Sequence, residues 1–245
     1  MIGPVLLKIG AFEIRYYGLV YVLGFLLVYY FLYKNKEKLN FSKDDIDEYL
    51  IYLVLGTVIG ARILHVIIEY PYYLNDLKRI FYFWEGGMAF FGGLLGSILV
   101  SYYYLNKKNI SFYKVADVIV VPLSLALSLG RIANFINGEL FGKITDVSWC
   151  IIADNVCRHP YQLYEFIGRF LAFLILLSLS FKKFRAGFLF WMFILLISLS
   201  RFVNEFFRDN VTLLGLNPWQ YLSLGLIFVS TYVIIRNYCC DFMYK

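Results

Sequence analysis

Long apolar stretches constrain the fold of this chain more than any other feature of the sequence. A helix needs about 20 mostly apolar residues to cross the hydrocarbon core of a bilayer. Seven windows meet that requirement: Tyr16–Tyr33, Tyr49–Ile68, Gly86–Leu105, Val115–Ile136, Tyr161–Phe181, Ala186–Phe207 and Pro218–Ile235. The sequence therefore predicts an all-α membrane protein, a polytopic bundle of seven transmembrane helices that forms a single integral-membrane domain over residues 1–245.

The composition agrees with a protein that lies in lipid. Of the 245 residues, 61% are hydrophobic and 16% are charged, whereas soluble globular chains average about 45–50% and about 25%. The 22 Tyr and 24 Phe residues suit the aromatic belts at membrane interfaces. Two pairs of glycines four residues apart, Gly56 with Gly60 and Gly92 with Gly96, predict close packing between helices.

The distribution of Lys and Arg among the connecting loops predicts the orientation, because cytoplasmic loops carry the excess. One set of alternate loops holds 12 of these residues and the other set holds 6. This asymmetry places the N-terminus outside and the C-terminus in the cytoplasm, and it accounts for the net charge of +6 better than nucleic-acid binding does. The N-terminal segment lacks a basic region and a convincing cleavage site, so no removable signal peptide is expected. The longest outer segment, at about residues 137–160, is expected to form a small cap.

The four cysteines fall into two pairs on opposite sides of the predicted membrane. Cys150 and Cys157 lie in the outer cap, where the sequence leaves open whether they form a disulfide or remain free thiols. Cys239 and Cys240 lie at the inner end. Because the chain has no CxxC spacing and only two histidines, no metal centre is expected.

Charges inside the predicted spans are the first indication of function. Five arginines lie within the spans or at their edges: Arg15, Arg62, Arg131, Arg169 and Arg201. Each costs about 2.5–3.5 kcal/mol at a helix centre, so such residues face the interior of a bundle or a water-filled cavity. Helical spacing places Glu69 on the same face as Arg62, and Glu165 on the same face as Arg169, which favours an internal salt bridge in both pairs.

Arg131 and Arg201 differ from the paired arginines. Arg131 has no acidic residue three or four positions away, and "RFVNEFFR" places Arg201 and Arg208 around the single Glu205. Surplus guanidinium charge in an apolar cavity suits phosphate, because the guanidinium fork matches two phosphate oxygens. The abundant phosphate at this depth is a phospholipid headgroup. The residues alone therefore predict a phospholipid-binding cavity that faces outward.

Six motifs, taken together, resemble those of the prolipoprotein diacylglyceryl transferase family. In chain order they are "IRYYGLVYVLGF", "GARILHV", "WEGGMAFFGGLLG", "LGRIANFINGELFGK", "RHPYQLYE" and "SRFVNEFFRD". The resemblance implies a seven-span, multi-pass enzyme of the bacterial inner membrane. It also implies transfer of a diacylglyceryl group from phosphatidylglycerol to the lipobox cysteine thiol of a preprolipoprotein, with release of glycerol 1-phosphate, as the first step of lipoprotein maturation.

The resemblance also implies roles for residues in these motifs. The implied catalytic residues are Arg131, Arg201, Glu139 and Tyr17. The candidate substrate-binding residues, from the resemblance and the charge pattern together, are Arg131, Asn134, Gly142, Glu205, Arg208 and His159. Negative charge grows on the phosphate as the thiolate attacks a glyceryl carbon, so two arginines aimed at the phosphate oxygens would stabilise the transition state. Such a reaction needs no metal or organic cofactor.

Two positions depart from the family pattern, and at one of them Ile197 stands where some members have a tyrosine one turn before the arginine of "SRFVNEFFRD". The glycine-rich motif of the family commonly carries a histidine, proposed as the base for the thiol, where this chain has Phe91 in "GGMAFFGG". One interpretation is a catalytically impaired paralogue that acts as an outward-facing phospholipid-binding membrane protein. The other is an active transferase without a dedicated base, since a thiol of pKa about 8.5 needs only about 2 kcal/mol to ionise at pH 7. The retained Arg131, Glu139 and Arg201 favour the active enzyme.

The two histidines and the transporter class complete the alternatives. His159 is interpreted either as a residue that caps a helix starting with Pro160 at its first position or as a substitute proton acceptor. His65 is expected to be structural. A small transporter is disfavoured because the sequence shows no inverted repeat or pair of broken helices.

Overall fold

The computed structural model of the protein describes residues 5–9, 12–74, 76–82, 86–153, 155–210 and 213–243. Most of these residues are helical. The chain divides into two compact units, one made of Met1–Phe31 and Ala116–Lys245 and the other of Leu32–Val115. The boundaries between the units fall inside two helices, α1 (Tyr16–Lys34) and α6 (Phe112–Asn137).

The larger unit begins with an antiparallel pair, β1 (Val5–Ile9) and β2 (Phe12–Arg15), followed by α1. After α6, the chain forms a second antiparallel pair and three long helices. These elements are β3 (Ile151–Ala153), β4 (Val156–Arg158), α7 (Tyr161–Ser180), α8 (Phe188–Asn204) and α9 (Pro218–Met243). A 3₁₀ turn, Glu205–Phe207, extends α8.

Two local contacts set the position of α8. A Cβ atom on Gly168 of α7 would collide with Oγ of Ser200, so the glycine allows α7 and α8 to approach closely. At the start of α8, the Asp117 carboxylate of α6 accepts hydrogen bonds from the backbone N–H groups of Gly187 at 2.6 Å and Phe190 at 2.8 Å. The acidic residue that interrupts the fourth apolar window therefore satisfies the first turn of another helix.

The smaller unit contains α2 (Lys36–Leu39), α3 (Lys43–Ile68), α4 (Tyr70–Leu74), a 3₁₀ turn at Leu77–Phe81 and α5 (Phe90–Lys107). The predicted glycine contact joins α3 and α5. A Cβ atom on Gly56 would lie 3.0 Å from the carbonyl oxygen of Gly96, and one on Gly60 would collide with the carbonyl oxygen of Gly92. The close helix packing predicted from these glycines is therefore confirmed.

Arg62 anchors the segment that precedes α5. Its side chain is only 3% exposed, and its guanidinium donates hydrogen bonds to five backbone carbonyls, those of Arg79, Ile80, Tyr82, Gly86 and Gly87. The partner that the sequence favoured, Glu69, is the exposed C-cap of α3. The centre of the Arg62 guanidinium also lies 5.4 Å from the centre of the Tyr73 ring, and together these contacts give the arginine a structural role.

Five helices in the described part of the chain are long and apolar enough to cross a membrane: Lys43–Ile68, Phe112–Asn137, Tyr161–Ser180, Phe188–Phe207 and Pro218–Tyr238. A shorter apolar stretch, Gly18–Lys34, belongs to α1. Large apolar side chains cover the outside of these helices, as shown by Ile51 and Ile67 at 62% exposure and Phe228 at 75%. Such an apolar surface is unfavourable in contact with water and favourable in contact with lipid. The protein is therefore a helical, multi-pass membrane protein, as predicted.

The segment between α6 and α7 contains the β3–β4 hairpin, in which Ile152 pairs with Cys157. A disulfide joins Cys150 and Cys157, whose Cα atoms are 5.6 Å apart, and this answers the question that the sequence left open. The next helix begins at Tyr161, as the apolar window predicted, but the interpretation that places Pro160 at its first position with His159 as a cap was wrong. Pro160 is the N-cap of α7, the first helical residue is Tyr161, and no side chain in the described part of the chain caps this end.

Candidate active site

Arg131 lies in the last two turns of α6 and is held at two points. Its Nε lies 2.7 Å from Oε2 of Glu165 in α7, and its Nη1 donates a hydrogen bond to Oδ1 of Asn134 at 3.1 Å. The contact with Oε2 is an ion pair without a well-aligned hydrogen bond. The Arg131 side chain is 18% exposed, and its Nη2 has no partner among the residues that the structure describes.

Glu165 serves two arginines at once. Besides Arg131, it pairs with Arg169, whose Nη2 lies 2.9 Å from Oε1. The Nη1 of Arg169 also donates a hydrogen bond to the Leu127 carbonyl of α6 at 3.3 Å. The predicted pair of Glu165 and Arg169 is confirmed. Two guanidinium charges share one carboxylate that is 1% exposed, so this buried group carries one positive charge in excess.

The end of α6 folds back on itself around Glu139. Asn134 donates through Nδ2 to Oε2 of Glu139 at 3.4 Å, and Asn137 donates to Oε1 at 3.5 Å. The turn uses Gly138 with a φ of 71°, a value that favours glycine. From α7, Gln162 donates to the backbone carbonyl of Glu139. A continuous set of contacts therefore links Glu139 through Asn134 to the Arg131 guanidinium.

Arg201, in the last turn of α8, has a different environment. The centre of its guanidinium lies 5.1 Å from the centre of the Trp219 ring, a cation–π contact. No carboxylate lies within 4.0 Å of Arg201 in the described part of the chain. The positive charges of Arg201 and Arg131 both repel the guanidinium of Arg169. Arg201 also interacts electrostatically with the phenol of Tyr161. The three arginines thus form one electropositive cluster.

Glu205, the predicted neighbour of Arg201, is engaged elsewhere. It is 1% exposed, and its carboxylate accepts hydrogen bonds from Tyr161 OH at 3.0 Å and from Nδ2 of Asn210 at 2.6 Å. Arg208 lies 3.9 Å from the same carboxylate and 5.7 Å from the centre of the Tyr161 ring. Because Glu205 is paired with Arg208, the positive charge of Arg201 is left without a carboxylate partner in the described residues.

Comparison with known proteins identifies the family of the chain. The family model described as prolipoprotein diacylglyceryl transferase matches residues 4–236. The chain belongs to this family. A relative from Geobacter sulfurreducens is 41% identical over 223 residues, which cover 88% of this chain and 85% of the relative. One from Bordetella parapertussis is 39% identical, covering 94% and 93%, and one from Aeromonas hydrophila is 36% identical, covering 96% and 88%. All three are named phosphatidylglycerol–prolipoprotein diacylglyceryl transferase.

Membership of the diacylglyceryl transferase family confirms the resemblance and directs attention to Gly142. Its N–H donates to the His159 carbonyl at 3.0 Å. A Cβ atom at this position would lie 2.8 Å from Cβ of His159 and would collide with the carbonyl oxygen of Phe207. Only glycine fits where the loop after α6, the start of α7 and the end of α8 meet. The chain pattern alone marks Gly142 as a turn residue, and the resemblance was the signal that identified it.

His159 belongs to a small polar network beside Gly142. Trp149 donates its indole N–H to Tyr164 OH at 2.7 Å, and Nδ1 of His159 lies 3.1 Å from the same hydroxyl. These three residues line one end of a cavity of about 650 Å³ between α7 and α8, whose remaining lining is largely apolar. The other nitrogen of His159, Nε2, has no hydrogen-bond partner among the described residues.

Two residues of the predicted site cannot be placed beside the arginines. Tyr17 is in the first turn of α1, but its side chain lies outside the described part of the chain. Phe91 is in α5, in the smaller unit, and is 48% exposed. Among the described residues, no group of three or more His, Cys, Asp or Glu side chains is arranged to hold a metal ion.

Sequence reasoning missed the aromatic and amide partners of the cluster. Trp219 contacts Arg201 from α9, and Tyr161 contacts both Glu205 and Arg208 from α7. Their contacts join different helices, so helical spacing gives no signal for them. Gln162 shares a helix face with Glu165 and Arg169, but nothing in the sequence indicated that its partner is the Glu139 carbonyl.

Proposed function

We propose that this protein transfers the diacylglyceryl group of phosphatidylglycerol to the lipobox cysteine thiol of a preprolipoprotein and releases glycerol 1-phosphate. The observation that carries the proposal is a cluster of guanidinium groups with open donors inside an apolar protein. Arg131 leaves Nη2 unused, and Arg201 has no carboxylate partner within the described residues. The names of the curated relatives support the same reaction.

The location that fits this reaction is the bacterial cytoplasmic membrane. We propose seven spans, formed by the five long apolar helices, α1 and α5, with the N-terminus outside and the C-terminus in the cytoplasm. The excess of Lys and Arg in one set of loops supports this orientation. In it, the ends of α6 and α8 that carry Arg131 and Arg201 open toward the outer surface. A thiol on a secreted precursor and the outer leaflet would both be accessible from there.

The reaction forms a C–S bond and breaks a C–O bond. The sulfur of the thiolate attacks the glyceryl carbon that bears the phosphate ester, and the electron pair of the C–O bond leaves with glycerol 1-phosphate. Negative charge therefore increases on the phosphate oxygens as the bond breaks. Arg131 and Arg201 would donate hydrogen bonds to those oxygens, which is worth about 10²–10³ in rate for each well-placed donor in other enzymes. Asn134, held by Glu139, fixes the orientation of Arg131.

The thiol proton requires no dedicated base at position 91. A thiol of pKa about 8.5 is a few per cent ionised at pH 7, and neighbouring positive charge increases that fraction. General-base catalysis contributes about 10²–10⁴ in rate, so a chain with Phe91 is expected to be slower than one with a histidine there. Gly142, Glu205, Arg208, His159 and Tyr17 stay predictions as substrate-contacting or catalytic groups.

The test uses purified protein, phosphatidylglycerol vesicles and a lipobox peptide, with the peptide mass as the readout. We expect a diacylglyceryl adduct on the cysteine, and no adduct with a Cys→Ser peptide. The Phe91→His variant is assayed in parallel. An adduct with Phe91→His and none with the native chain would favour the second candidate, a phospholipid-binding paralogue without turnover, which the phenylalanine at position 91 supports.

A further inference from the structure

We propose that Glu165 is a positioning residue that holds Arg131 in place for the phosphate, and that Arg169, by sharing the charge of Glu165, leaves this group with a net positive charge toward the ligand. This inference rests on the proposed function. The structure carries it through a closed set of contacts between α6 and α7. Arg131 extends from α6 to Glu165 of α7, and Arg169 extends from α7 to the Leu127 carbonyl of α6.

The four groups of this circuit lie within two helical turns. Leu127 and Arg131 are four residues apart on α6, and Glu165 and Arg169 are four residues apart on α7, so each pair shares a helix face. Glu165 Oε2 faces Arg131 Nε at 2.7 Å, and Oε1 faces Arg169 Nη2 at 2.9 Å. Each carboxylate oxygen is thus assigned to one arginine. The carboxylate cannot turn toward one arginine without leaving the other.

The second arginine changes what Arg131 can do. A buried carboxylate with a single arginine forms a neutral pair, and the charge of that arginine is used to offset the desolvation of the carboxylate. Here Arg169 also offsets the negative charge of Glu165, so the three side chains together carry one net positive charge that attracts an anion. The ion pair occupies the Nε side of Arg131, and Asn134 accepts from Nη1. The Nη2 donors stay available to phosphate oxygens.

The test separates positioning from charge balance with two variants. Glu165→Gln removes the only described carboxylate within ion-pair distance of Arg131 and Arg169. It should lower transfer by at least about 100-fold, the size expected when one transition-state donor is misplaced. Glu165→Gln with Arg169→Gln restores the wild-type net charge of the cluster. We expect its thermal stability to recover toward that of the wild type while its transfer rate stays at least about 100-fold low.

Recovery of transfer in the double variant would overturn the proposal, because Glu165 would then serve only to neutralise Arg169. A double variant that fails to recover stability is replaced by Glu165→Asp, which keeps the charge but shortens the side chain. That variant should fold and should lose rate through kcat more than through the KM for phosphatidylglycerol, since Arg131 acts on the departing phosphate. Glu165→Asp with wild-type kcat would also overturn the proposal. Glu37→Gln, an exposed carboxylate on α2, is the matched control and should keep wild-type activity.

The wild-type assay distinguishes this failure from failure of the proposed function. If the wild type forms no adduct under any condition, the proposed reaction is wrong. The positioning of Arg131 is then tested by binding alone, using vesicles of phosphatidylglycerol compared with vesicles of phosphatidylcholine. Glu165→Gln and the double variant should each lose at least about tenfold in preference for phosphatidylglycerol, and an unchanged preference in both would overturn the proposal on its own terms.

Discussion

Arg62 and Arg131 are both arginines within apolar helices, yet their donors are used in different ways. The guanidinium of Arg62 donates hydrogen bonds to five backbone carbonyls of the segment before α5, and the residue is 3% exposed. Arg131 uses one donor on Asn134, pairs with Glu165, and leaves Nη2 open among the described residues. A buried arginine is therefore not a sign of function in itself. The use of its N–H groups separates a structural anchor from a candidate anion site.

The largest expected effect comes from removing an open guanidinium. Arg131→Ala and Arg201→Ala should each reduce diacylglyceryl transfer by at least about 10³-fold, because each removes the charge as well as the donors that would face the departing phosphate. Both variants should still fold, since neither residue holds a segment in place as Arg62 does. Peptide mass after a fixed reaction time measures the first effect, and thermal unfolding in detergent measures the second. Substantial transfer in either variant would remove that arginine from the proposed mechanism.

The reverse pattern is expected at Arg62. Arg62→Ala leaves up to five carbonyls without their donor, and each unsatisfied group costs about 1–3 kcal/mol when it cannot reach water. An overall loss of about 3 kcal/mol would lower the melting temperature by roughly 6–12 °C for a chain of this length. We expect faster proteolysis of the segment around residues 79–87 and a loss of activity that follows the loss of folded protein. Normal stability with abolished transfer would place Arg62 in the same class as Arg131.

The sequence predicted the helices well and their ends less well. Helix α3 begins at Lys43 and not at Tyr49, because Ser42 and Asp45 form a capping box that extends the helix into polar sequence. Helix α5 begins at Phe90 and not at Gly86, because Gly86 and Gly87 have φ values of 85° and 77°, which a helix does not allow. Apolar windows measure the apolar stretch, whereas caps and backbone angles set the ends.

The site was predicted as a set of residues but not as a set of contacts. Spacing on one helix identified the pair of Glu165 and Arg169, the lack of a nearby acid identified Arg131, and the resemblance implied roles for Asn134 and Glu139. Arg131 and Glu165 lie on different helices and are 34 positions apart along the chain, so no local sequence pattern contains their ion pair. The contact between Arg201 and Trp219 is of the same kind. Arg131 has no acidic residue near it on its own helix, and tertiary packing pairs it with Glu165 of another helix.

Lysine substitution sharpens the comparison, because it keeps the charge and removes the fork. Arg131→Lys should fold normally and retain about 1% or less of transfer, since an ammonium cannot hold Glu165 and Asn134 while donating to phosphate. A lysine offers three donors from a single atom, so the two-point attachment is lost. The rate of Arg131→Lys is compared with that of Arg131→Ala under the same conditions. Activity near that of the wild type would show that positive charge suffices and that the fork is irrelevant.

A smaller effect is expected at Gly142, where a side chain has no room. The added methyl group of Gly142→Ala would meet Cβ of His159 and the carbonyl of Phe207, so the loop after α6 must move by a few tenths of an ångström or more. We expect a tenfold to 100-fold loss of transfer, because this loop carries Glu139 and so affects Arg131 indirectly. The KM for phosphatidylglycerol and kcat should be measured separately. Gly225→Ala, a glycine with open space around it, is the control and should have no effect.

The smallest effect is expected from the disulfide of the β3–β4 hairpin. Cys150→Ser with Cys157→Ser releases a closure of only seven residues along the chain, which is worth about 2 kcal/mol by the entropy of the unfolded loop. The hairpin keeps its backbone pairing between Ile152 and Cys157, and Trp149 keeps its hydrogen bond to Tyr164. Melting temperature should therefore fall by a few degrees while transfer stays within about twofold of the wild type. A large loss of transfer in a stable variant would show that the hairpin, and not only the arginine cluster, takes part in substrate binding. The outer cap would then belong with Arg131 among the binding groups and not with Arg62 among the structural anchors.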